Sequence, residues 1–205
     1  MITIVDYNTG NLGSIHNMLK KLGFESRISA DPQVIAAAEK LILPGVGAFD
    51  AGMEHLEAAG LVPVLNKRVR ENRVPVLGIC LGMQLMAKSS AEGRRPGLGW
   101  IDAEVLRFEP GGRALKVPHM GWNRVHPVRT SPLTEGLPEE PRFYFVHSYF
   151  VRCRRQEDVV LTTLYGDSFH SAFATGNVYG VQFHAEKSHK FGMALLANFA
   201  RHCNA

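Results

Sequence analysis

The segment Leu77-Gly78-Ile79-Cys80-Leu81-Gly82-Met83-Gln84 sets a cysteine between two glycines at the end of an apolar run, and a helical pattern begins at once. G-x-nucleophile-x-G is the pattern of a sharp strand-to-helix turn that holds a nucleophile in strained backbone. The glycines leave room for the close neighbours such a turn brings. The N–H groups at the start of the helix favour thiolate over thiol, and the N–H of Leu81 is placed to donate to an oxyanion. A buried structural cysteine at an ordinary tight turn fits the same pattern, since free cysteines are among the most buried residues. Cys153 and Cys203 have no such setting and are expected to be inert.

A thiol nucleophile needs a base. Val181-Gln182-Phe183-His184-Ala185-Glu186 ends an apolar strand on a histidine, with a carboxylate two residues on. Alternation along an extended chain would point both side chains to one side. Glu186 could then fix the tautomer of His184 and stabilise the imidazolium formed when it takes the thiol proton. Taken alone, H-x-E is more commonly an exposed polar strand end. His189 extends the pattern to H-x-E-x-x-H, but the spacing is not that of the helical H-E-x-x-H motif, and no metal is expected. His147, followed by Ser148 and Tyr149, fits a substrate-binding wall better than a second base.

Pro44-Gly45-Val46-Gly47 also closes a buried strand. If the strands are parallel, this turn lies on the same sheet edge as Cys80, where ligands of open α/β sheets bind. Backbone N–H groups of a glycine-rich turn can approach a tetrahedral oxyanion closely. An ordinary strand-to-helix turn would look the same. Neither common glycine-rich phosphate loop is present.

The elements needed to position these groups are visible in the first half. Residues 2–6 and 24–29, Lys40 to Leu43 and Val74 to Ile79 read as strands. Between them, Leu12 to Leu22 carries Ile15, Met18, Leu19 and Leu22 on one helical face, and Asp31-Pro32 reads as the cap and first residue of a second helix. This order predicts an α/β fold with a mostly parallel central sheet and helices on both faces. From Gly99 to about Pro141, frequent Gly and Pro predict antiparallel hairpins and loops. Tyr144 and its neighbours and residues 178–183 read as strands, and a last helix runs from about Phe191 to Arg201. No repeat or linker interrupts the 205 residues, so one domain is expected over 1–205.

Composition narrows the function. The net charge of +4 is spread over scattered basic residues without interleaved aromatics, which argues against nucleic acid. No run approaches the roughly 18 apolar residues of a membrane helix, and no secretory leader is visible, so a cytoplasmic location is expected. Three widely spaced cysteines do not suggest a disulfide framework or a zinc site.

Taken together, these segments resemble the triad glutamine amidotransferases. The resemblance covers nearly the whole chain, adding Asp6 to Leu12, Val117-Pro118-His119-Met120-Gly121-Trp122-Asn123 and Tyr144 to Tyr149 to the motifs above. It implies a flavodoxin-like amidotransferase fold and a glutaminase in which Cys80 attacks the carboxamide of L-glutamine, with His184 as base and acid and Glu186 as its orienter. Oxyanion donors would be the backbone at Leu81 and at Val46, the latter after a peptide flip. Glutamine would be held near Gly45, Gly47, Gln84, Glu92, Ser148 and Tyr149. Asn11, Asn123, Tyr144 and Lys187 would sit at the mouth facing a cyclase (synthase) subunit that receives the ammonia in a heterodimer; no cofactor is implied. A synthase for surface-sugar amidination, or a non-catalytic flavodoxin-like module, are the alternatives. Ala185 departs from the family's usual proline, which implies a more mobile turn between His184 and Glu186.

Overall fold

The computed structural model describes residues 1–109 and 115–203. The first half runs β1 (Ile2–Val5), α1 (Leu12–Lys21), β2 (Ser26–Ser29), α2 (Pro32–Ala36), β3 (Lys40–Gly45), α3 (Phe49–Ala58), α4 (Leu61–Asn66), β4 (Val76–Cys80) and α5 (Leu81–Leu85). The second half adds β5 (Ser89–Ser90), β6 (Ala103–Arg107), β7 (His119–Arg124), β8 (His126–Pro127), β9 (Arg142–His147), β10 (Tyr149–Cys153), β11 (Val159–Tyr165), β12 (Asp167–Thr175), β13 (Val178–Val181) and α6 (His189–His202).

Among the described residues, the main sheet has eight strands in the order β2-β1-β3-β4-β13-β12-β11-β8. The pairs from β2 to β13 are parallel, and β12, β11 and β8 continue the sheet antiparallel. β1, β3, β4 and β13 are buried on both faces, which is why they read as apolar runs, whereas the edge strand β2 is half-exposed and polar. One core packs Ile35, Leu56, Leu61 and Leu65 of α2 to α4 on one face; the other packs Ile15 and Leu19 of α1 and Leu195, Leu196 and Phe199 of α6 on the opposite face. No helix among the described residues is long and apolar enough to cross a membrane.

The sequence cues hold at α2, where the Asp31 side chain accepts from the N–H of Gln33 and Pro32 takes the first helical position. The β3 strand runs further than its sequence indicates, with Pro44 and Gly45 opposite Ile79 and Cys80. Pairing with β1 stops at Ile42, so the missing N–H of Pro44 breaks no ladder on that side. The β11–β12 hairpin, closed by Gly166 at φ +73°, has no counterpart in the sequence reading.

Candidate active site

β3, β4 and β13 are adjacent and parallel, so their carboxyl ends open onto one edge. Cys80 ends β4 and precedes α5 directly, with φ +54° and ψ −112°. A non-glycine residue in that region is strained and is kept there only by its surroundings. Those surroundings are tight: a Cβ on Gly82 would run into the carbonyl of Leu43, and one on Gly78 would lie 2.7 Å from the N of Met83. As the first residue of α5, Leu81 has an N–H with no acceptor inside the helix.

His184 and Glu186 are both buried, and Nδ1 of His184 donates to Oε1 of Glu186 at 2.8 Å. Extended alternation is not what joins them. His184 caps a 3-10 turn, Ala185–Lys187, and that turn swings the carboxylate back onto the ring. The backbone of His184 donates to Tyr144 O (2.9 Å), and Ser188 Oγ donates to His184 O (2.6 Å), pinning the strand end. Nε2 of His184 is buried without a partner of its own, on the pocket that Cys80 also lines. Burial lowers the imidazole pKa, but the sulfur of Cys80 and the carboxylate of Glu186 outweigh it and lift the value to about 10. His184 is therefore held protonated, as an imidazolium facing the pocket that Cys80 lines. Burial pushes the thiols of Cys153 and Cys203 up to about 12, so neither is a thiolate at neutral pH.

The pocket above the pair measures about 330 Å³ and is lined by Val46, Gly47, Cys80, Leu81, Gln84, Glu92, Pro118, Val146, His147, Ser148, Tyr149 and His184. Most of the site residues expected from sequence thus meet in one cavity. Gly45 lies buried beneath it, where a side chain would collide with the Tyr7 hydroxyl, which donates to Pro44 O (2.5 Å). Glu92 Oε2 accepts from the N–H of Phe49 at 2.9 Å. Gln84 spends its amide nitrogen internally, on Tyr149 O (3.0 Å) and Gln182 Oε1 (3.1 Å).

At the Pro44–Gly47 turn, the backbone of Val46 is already engaged. Val46 is exposed, yet its N–H donates to Thr9 Oγ1 (3.2 Å), and the Thr9 hydroxyl donates to Val46 O (2.6 Å). Thr9 latches the turn at both ends of one residue. Gly47, at φ +102° with open space around it, is where that turn can reorient.

His147 is a wall. Its Nδ1 donates to Tyr149 O (2.7 Å), so its Nε2 accepts, and His119 Nδ1 donates to it at 3.0 Å. Burial lowers His147 to about 3 and His119 to about 4, keeping both rings neutral. Asn123 Nδ2 donates to His119 Nε2 (3.2 Å) and Leu164 O (2.9 Å). Lys187 Nζ stands 5.8 Å from the Tyr144 ring, and Trp122, half exposed, stacks on His189 at 5.5 Å. Asn11 opens α1 without a side-chain cap bond. Thr9 and Gln182 escape the sequence reading: Thr9 sits in a turn-rich stretch where a hydroxyl is unremarkable, while Gln182 leaves a faint signal as a polar residue in an apolar strand.

Comparison with known proteins agrees with this geometry. A protein 52% identical over 98% of this chain and 99% of its own length is the imidazole glycerol phosphate synthase subunit HisH 2 of Methanococcus maripaludis. The protein of the same name from Pseudomonas aeruginosa is also 52% identical, over 97% of this chain and 98% of its own. The solved structure of PurLQS from Thermotoga maritima contains a chain of the same fold, with a TM-score of 0.72, 18% identity and 97% and 96% coverage of the two chains. Residues 3–203 match the model of the class-I glutamine amidotransferases, and the chain belongs to that family.

Proposed function

We propose that this chain, acting as one domain over 1–205, is the glutaminase subunit of an imidazole glycerol phosphate synthase, making ammonia for a cyclase subunit in histidine biosynthesis. The observation that carries this is the buried Cys80–His184–Glu186 constellation at the sheet edge, in a chain matched end to end by subunits of that synthase. The Cys80 thiolate attacks the carboxamide carbon of glutamine, and the carbonyl oxygen becomes an oxyanion. His184 gives its proton to the departing ammonia, leaving a γ-glutamyl thioester. Water, deprotonated by His184, then attacks the thioester; glutamate leaves and the thiolate returns. Glu186 holds the imidazole by Nδ1 throughout.

Leu81 N–H supplies one oxyanion donor, and Val46 N–H supplies the second after leaving Thr9. Partner docking at the mouth around Asn11, Asn123, Tyr144 and Lys187 drives that exchange, so ammonia is released where it is consumed. A second reading keeps the chemistry and changes the synthase to one that amidinates surface sugars. It rests on the Lys187–Gly192 stretch, where His189, at φ +45°, stacks on Trp122 at the rim.

The test is glutamine hydrolysis by the chain alone, then with the imidazole glycerol phosphate synthase cyclase and its nucleotide ligand. Strong activation that vanishes in Cys80→Ala is expected. Hydrolysis without any response to that cyclase would move the assignment to the second synthase.

A further inference from the structure

Gln182 is fully buried just past β13, and the mechanism above gives it no part. Its side chain is nevertheless held in one orientation. Both hydrogens of Gln84 Nε2 are committed to acceptors, Tyr149 O at 3.0 Å and Gln182 Oε1 at 3.1 Å. The Tyr149 carbonyl is itself fixed by the His147 Nδ1–H at 2.7 Å. An amide nitrogen can only donate, so Oε1 of Gln182 is the end that accepts from Gln84, and Nε2 is the end that faces Cys80 Sγ, at 3.8 Å.

The other groups around the sulfur leave this role open. His184 lines the same pocket with Glu186 behind it, and Leu81 opens α5 with an N–H that has no acceptor inside the helix. The Tyr7 hydroxyl donates to Pro44 O, and burial, then the charge of Cys80, hold that phenol protonated. A hydrogen bond to the charged form of a thiol favours that form.

We propose that Gln182 is a further catalytic residue, whose Nε2–H hydrogen-bonds the Cys80 thiolate and shares the anion with the His184 imidazolium. The assignment rests on the glutaminase reading for its catalytic meaning, while the contact can be read without it. The alternative is a purely structural role, in which Gln182 only braces Gln84.

The test is the pH profile of Cys80 alkylation by iodoacetamide in the full chain, without glutamine or partner. It compares wild type with Gln182→Met, which keeps the volume and loses the donor, and Gln182→Glu, which puts an acceptor against the sulfur. Gln182→Asn, a smaller change that withdraws the amide by one methylene, covers failure of either to fold. The alkylation midpoint is expected to rise by about one pH unit in Met and Asn and further in Glu. With the cyclase present, kcat falls about tenfold while KM changes less than about threefold. A folded variant with lowered stability and a wild-type profile would overturn the proposal. A shifted profile in a chain that never hydrolyses glutamine would instead overturn the functional reading and leave the contact standing.

Discussion

The elbow around Cys80 and the turn at Pro44–Gly47 end neighbouring strands and face one pocket, yet their donors are in opposite states. At the elbow, Cys80 is buried, its strained backbone is locked by Gly78 and Gly82, and Leu81 N–H is unclaimed within its helix. At the turn, Val46 is exposed and its N–H is spent on Thr9. The elbow is fixed by packing; the turn is held by two hydrogen bonds to one hydroxyl, which donates in one and accepts in the other. Such bonds are worth about 1 kcal/mol each, whereas an oxyanion donor is worth about 3. On the proposed function, a docking partner that releases this latch gives up about 2 kcal/mol of hydrogen bonding and gains a donor worth more.

The comparison breaks most severely on the side of the elbow. Cys80→Ala should reduce glutamine hydrolysis by roughly four orders of magnitude or more, as steady-state assays with the cyclase would register. Glu186→Gln should cost about a hundredfold or more in kcat, because the carboxylate that holds and charges His184 is gone. Retention of full activity in either variant would remove the triad from the account.

A third prediction concerns the neutral histidines behind the pocket. His119 and His147 have folded pKa values of about 4 and about 3, below the unfolded value near 6.5. Unfolding therefore takes up protons in acid, so their contribution is complete above pH 6.5 and is lost as pH falls toward those folded values. At pH 5, one and a half units below 6.5, each costs about 2 kcal/mol. Denaturant unfolding at pH 7 and pH 5 should show this loss, and His119→Phe, which keeps the stacking on Phe145 and Tyr165, should shrink it by about half. An unchanged acid loss in that variant would contradict the neutral-ring assignment.

The smallest effect is expected at Ala185, which opens the 3-10 turn between the triad partners. Proline suits the first position of such a turn, so Ala185→Pro should preserve or modestly raise activity. Loss of activity would mean that the turn needs the freedom alanine gives it.

These contrasts also explain what the sequence could reveal. The elbow is legible because glycine, cysteine and glycine are close in the chain and both glycines are forced by local crowding. Spacing pairs His184 with Glu186, although a 3-10 turn rather than extended alternation brings them together. The Thr9 latch joins residues 37 positions apart, and the Gln84–Gln182 contact spans 98. Nothing in residue type or periodicity encodes such pairings; they come from sheet order, which sets which strand ends meet.

The most direct test of a packed elbow beside a latched turn is glutamine hydrolysis by Thr9→Val without any partner, with Cys80 alkylation followed in parallel. Valine keeps the shape and removes the hydroxyl that holds Val46 at both ends. Releasing about 1–2 kcal/mol should raise unstimulated hydrolysis about 5–30-fold and shrink the response to the cyclase, while alkylation stays at the wild-type rate. Unstimulated hydrolysis at or below the wild-type rate, in a folded variant with normal alkylation, would contradict it.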